Sequence, residues 1–143
     1  MFLETFYKAA GRPEKAQQAL REALVRADRA LDRNPADAYS MMSKFLCHAR
    51  LGEAEQAKHF ANQVKAMSPD DPMVDYNIGC ALALLGETET ALNFLEQGLK
   101  RANSVEFVKV LKQDVDLDSL RREPRFQKIV SEVEARALAS SAK

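Results

Sequence analysis

The chain has 143 residues, of which 46 % are apolar and 29 % charged, enough for one soluble globular domain with a continuous core. Lys plus Arg and Asp plus Glu each total 21, so the net charge is zero, and no overall field draws the chain to nucleic acid or to an anionic membrane. The longest apolar run, residues 80–85, is far too short to cross a bilayer, and Cys47 and Cys80 read as buried thiols rather than as a disulfide framework.

Ala, Leu, Glu, Lys, Arg and Gln dominate, and no segment alternates with period two, so the expectation is helices throughout and no strand. Phe2, Leu3, Phe6 and Tyr7 suggest a short helix ending at Gly11. Pro13 then opens a long amphipathic helix to about Arg33, with Ala16, Ala19, Leu20, Ala23, Leu24, Ala27, Ala30 and Leu31 on one stripe. Helix pairs are expected over 36–51 with 53–67, and over 70–85 with 87–101. A short apolar helix carries Val105, Phe107, Val108, Val110 and Leu111. After it come Asp114, Asp116 and Asp118. They lack the Gly and closing Glu of a calcium loop, so Asp116 reads as the cap of a short helix beginning at Leu117. A last helix places Phe126, Ile129, Val130, Val133 and Ala137 on one face and runs to about Ala139.

The punctuation recurs. Leu51-Gly52 reappears as Leu85-Gly86, Ala57 as Ala91, and Pro35 as Pro69, each 34 residues apart. Glycine closes a helix in the left-handed region, alanine permits close helix crossing, and proline follows a helix that it cannot continue. On these residues, and on Tyr76-Asn77-Ile78-Gly79, Ala81, Ala91-Leu92 and Phe94-Leu95, the chain resembles the tetratricopeptide repeat, a helix–turn–helix unit. The resemblance implies an all-α fold: a superhelix of antiparallel hairpins with a helical C-terminal cap. The domain plan is one domain over 1–143, with repeat-like segments 1–37, 38–71 and 72–103 and a tail, 104–143, where the repeat stops. Phe45, Lys44 and His48 depart from the pattern, which calls close packing of the second repeat into question. Gly79 and Ala91 should mark a close crossing. Leu117, Leu120, Phe126 and Ile129 should cap the helix of Leu92, Leu95 and Leu99.

The tail Asp-Leu-Asp-Ser-Leu-Arg-Arg-Glu-Pro-Arg-Phe, together with the repeats, resembles the C-terminal helical region of bacterial signalling proteins. These include class III adenylate cyclases, serine/threonine kinases and transcriptional regulators. The resemblance implies a regulatory, protein-binding part of such a protein, or a free-standing adaptor, in a bacterial cytoplasm. A parent cyclase would place the chain in cAMP biosynthesis.

Catalytic patterns are missing. There is no Gly-rich phosphate loop, no Cys-x-x-Cys and no His-Glu-x-x-His. A zinc site from Cys47, His48, His59 and Cys80 is outweighed by core thiols and a surface histidine. No catalytic residue, metal or cofactor is therefore expected. The implied partner is a protein or peptide segment, or another domain of a parent protein. Nucleic acid and membrane are not expected, and self-association is left open. In the repeat family the first helix of each pair lines a concave surface. That places Tyr39, Met42, Leu46, Met73, Tyr76, Cys80 and Phe107 in a binding groove, unless Phe2, Phe6 or the final helix fills it. A clamp for a terminal carboxylate is disfavoured: Asn77 suits it, but Tyr39, Met42, Ser43 and Leu46 supply no cation.

Overall fold

The computed structural model describes residues 7–141, all of whose regular elements are helical. Contacts divide the chain into two compact units, 1–69 and 70–143. The division falls in the polar stretch Pro69-Asp70-Asp71. Pro69 cannot continue the preceding helix, and Asp71 begins the next by capping it: its side chain accepts from the Met73 amide at 2.8 Å.

The first unit contains α1 (Pro13–Arg33), α2 (Ala38–Arg50) and α3 (Ala54–Met67). The middle helix packs on both of the others. Residues 7–9 form a helical turn before α1, and Gly11, at φ 66°, reverses the chain. Phe2, Leu3 and Phe6 lie outside the described residues. The stripe expected on α1 is the face that is buried: Ala16, Ala19, Leu20, Leu24 and Ala27 turn inward. Leu20 and Leu24 pack with Cys47 of α2. Gly52, at φ 75°, closes the α2–α3 turn.

Unit two contains α4 (Pro72–Leu84), α5 (Thr88–Leu99), α6 (Val105–Gln113), a 3-10 helix η1 (Val115–Leu120) and α7 (Pro124–Ser141). Its hairpin α4–α5 is turned by Gly86 at φ 77°. The crossing is close. A Cβ at Gly79 would meet the Leu95 side chain at 2.6 Å and the Ala91 carbonyl at 3.2 Å. Gly98 is a second such point, one the sequence pattern does not reveal: a Cβ there would meet the Pro72 carbonyl at 2.7 Å and the Tyr76 amide at 2.9 Å.

The cap differs from expectation in two ways. The η1 segment, with Leu117 and Leu120 fully buried, packs on α4 rather than serving as cover for the Leu92 helix. It is α7, carrying Phe126 and Ile129, that packs on α5 and α6. The cap of η1 is also Asp114, not Asp116: its side chain accepts from the Asp116 amide at 3.0 Å, so the turn begins two residues earlier. Polar side chains fasten the cap. The Arg136 guanidinium donates to the Leu99 and Ala102 carbonyls at 2.8 and 3.1 Å, closing the C-terminus of α5. Arg125 reaches Asn93 at 2.8 Å and Glu96 at 2.5 Å, which lowers the Glu96 carboxyl below its ordinary value.

Candidate partner-binding surface

In unit one, α2 is held between two neighbours, and Asp37 fixes where it starts. The Asp37 carboxylate accepts from the Tyr39 amide at 3.2 Å and from the Ser40 hydroxyl at 2.7 Å. The Ser40 hydroxyl bond is the main reason its carboxyl is held below the usual range. One side of α2 supplies Cys47 to α1. Another meets α3: His48 stacks on Phe60 with ring centroids 5.3 Å apart, and Lys44 lies 4.3 Å over the same ring. The polar residues that look misplaced in the repeat are therefore packed on an aromatic face, with their polar ends tied elsewhere. Lys44 pairs with Asp28 at 2.6 Å, and His48 meets Glu53 at 2.6 Å. Glu53 also takes Arg21 at 3.0 Å. The remaining face of α2 carries Tyr39, 83 % exposed, and Met42 and Leu46, both half-buried.

Unit two treats its residues differently. Met73 is 50 % exposed and Phe107 is half-buried. Tyr76 and Cys80, expected to line an open groove, are buried at 5 % and 4 % exposure. The chain's own continuation covers them. The Tyr76 hydroxyl donates to the Asp114 carboxylate at 2.5 Å, and the Cys80 sulfur lies 3.9 Å from the same oxygen. The Phe107 ring meets Tyr76 edge-on, with centroids 5.4 Å apart. Burial, followed by the neighbouring Cys80 and Asp114, pushes the Tyr76 hydroxyl above its ordinary value, so it serves as a donor and not as an acid. Ser119 donates to the Ala83 carbonyl at 3.2 Å, and Arg121 to the Asp114 carbonyl at 2.8 Å, securing the same strap.

The 34-residue interval can be followed beyond Asn103. Phe107 lies 34 residues after Met73, which lies 34 after Tyr39; Met42, Tyr76 and Val110 repeat the interval, as do Leu46, Cys80 and Asp114. Burial keeps the same register: Ser40, Val74 and Val108 are 6, 6 and 7 % exposed. Helix α6 thus keeps the 34-residue interval of the first helices, and η1 and α7 follow it.

Near the start of α4 is a shallow pocket of about 260 Å³, whose lining includes Met73, Arg101, Ala102, Ser104 and Phe107. Among the described residues, no three His, Cys, Asp or Glu side chains gather as a metal would require. Nor is any described helix long and apolar enough to cross a membrane.

Residues 76–104 match the family model of the tetratricopeptide repeat. The match takes in the hairpin α4–α5 from Tyr76 onward, and the all-helical architecture agrees with a tetratricopeptide-like helical repeat fold. No curated protein and no solved structure shows a match to the chain.

Proposed function

We propose that the chain is a non-catalytic module that captures a protein segment on the first helices of its repeats. The observation that carries this reading is the character of one repeat position. Tyr39, Met73 and Phe107 are register equivalents, all large and apolar or amphipathic, and none is buried. Exposed aromatic and Met side chains in a fixed register suit adaptable apolar contact with a partner. Membership of a signalling protein such as a class III adenylate cyclase is the narrower form of the proposal, and it rests on the resemblance of the tail. Much of that tail pattern serves packing: Asp114 holds Tyr76, Asp118 pairs with Arg121 at 2.7 Å, and Arg125 braces α5. A free-standing adaptor would need the same residues, and the complete reading frame separates the two.

The test replaces Tyr39 and Met42 together by Ser and measures capture of partners from the native cell alongside the helical signal and thermal midpoint. The expected result is lost capture with an unchanged midpoint. Collapse of unit one would show that these side chains are core, and capture at full strength would reject the surface.

A further inference from the structure

Several exposed cations of unit two, Lys109 and Arg122 among them, form no ion pair among the described residues, and Arg101 is the one of these that lines the pocket at the start of α4. Arg121, Arg125, Arg136 and Lys112 are each engaged, with Asp118, Glu96, the Leu99 carbonyl and Glu134 respectively. Arg101 is exposed and pairs with no carboxylate among the described residues. Among the described residues it is also the one charged side chain lining the pocket at the start of α4. Two other polar side chains line it: the Ser104 hydroxyl accepts from the Phe107 amide at 3.1 Å, and Asn103 adds a side-chain amide. The rest of the lining is mostly apolar, with Met73 and Phe107 the two large side chains.

We infer that this pocket takes an internal segment of a partner protein in which a large apolar side chain, Phe or Leu, stands next to Asp or Glu. The proposal rests on the protein-binding reading above and gives it a subsite and a ligand chemistry. Shape and charge complementarity carry it. A notch of about 260 Å³ is smaller than a typical small-molecule cleft but holds one bulky side chain of a longer chain. Met73, half exposed, and Phe107, half-buried, gain by covering it. The guanidinium at the rim offers a planar fork that matches a carboxylate in two parallel bonds, and it has no internal acid to displace. A basic segment is rejected on the same grounds.

The test uses the full chain and fluorescein-labelled peptides, blocked at the C-terminus as the amide, with a central Glu-Phe pair flanked by Gly and Ser. Fluorescence polarisation is expected to show saturable binding. Binding should fall about tenfold when the peptide Glu becomes Gln or when Arg101→Glu is introduced. Met73→Ser should weaken it similarly. Both protein variants alter exposed side chains, so the thermal midpoint should not move. Arg101→Glu should instead gain binding to the Lys-Phe peptide. No saturation below about 1 mM peptide overturns the proposal. So does binding indifferent to Arg101→Glu, or binding confined to peptides with a free terminal carboxylate. If the peptide fails while the Tyr39 and Met42 substitutions still abolish partner capture, the subsite is wrong and the interaction surface stands.

Discussion

The hairpins α2–α3 and α4–α5 occupy the same repeat register, yet they solve their packing with opposite choices. Phe45, fully buried, is the equivalent of Gly79, and Ala61 is the equivalent of Leu95. The bulky and the small residue have changed helices. In α4–α5 the glycine lets Leu95 press against backbone, whereas in α2–α3 the first helix supplies the volume and the second recedes to Ala61. Volume-conserving exchange of this kind preserves a core that a single change would leave empty or overfilled. The far ends differ too, with Val64 of α3 equivalent to Gly98 of α5. The α4–α5 helices are therefore too close for any Cβ at two points, and α2–α3 has side chains at both. The enclosure of the first helices shows the same division: nine residues of α4 are buried and four of α2. What distinguishes them is the cap, because η1 packs on α4. One repeat register thus supports both a closed helix and an open one, and the segment C-terminal to the hairpin decides which.

The comparison can be broken most severely by removing the cap. Truncation after Asn103 deletes the fully buried Leu111, Leu117, Leu120 and Val133. It should abolish cooperative unfolding of unit two, read as lost amide protection across α4, while protection in α2 persists. Phe45→Ala comes next, with an expected cost of about 3–5 kcal/mol from the emptied site. Gly79→Ala and Gly98→Ala should each cost about 1–3 kcal/mol by overpacking, Gly98→Ala more, because backbone opposes it. Denaturant midpoints check all three, and equal tolerance at positions 45 and 79 would remove the claimed exchange. Tyr76→Phe leaves the Asp114 carboxylate without its phenol and should cost about 1.5–3 kcal/mol in thermal or chemical unfolding.

The smallest effect is expected in acid. The Glu53 carboxyl is held below its ordinary value of 4.5, first by the hydrogen bond with His48 and then by Arg21. A depressed carboxyl contributes stability that is present above the unfolded value and is lost as pH falls through the folded one. Asp37 and Glu96 are lowered in the same direction. Unfolding midpoints should therefore fall below about pH 4.5, and Glu53→Gln should flatten that fall in unit one. An unchanged acid slope would mean that the network of Arg21, His48 and Glu53 does not contribute.

By itself the sequence determined the helical class, the 34-residue punctuation and most helix boundaries, because these depend on local rules. Gly52 and Gly86 take left-handed turns, Pro13 and Pro72 sit in first turns, and the apolar stripe of α1 is the face that is buried. The close crossing at Gly79 and Ala91 was legible for the same reason, since small residues at helical spacing have little other use there. The fate of Tyr76 and Cys80 was not legible, because it depends on contacts between residues distant in sequence. The register of α6 was written in the chain as Phe107, Val110 and Asp114, but an aspartate in a position held by Leu46 and Cys80 hid it. Only the folded chain shows that Asp114 turns inward to accept from Tyr76, 38 residues earlier. A buried phenol needs an acceptor, and which side chain provides it is decided by how the cap folds back, not by any local pattern.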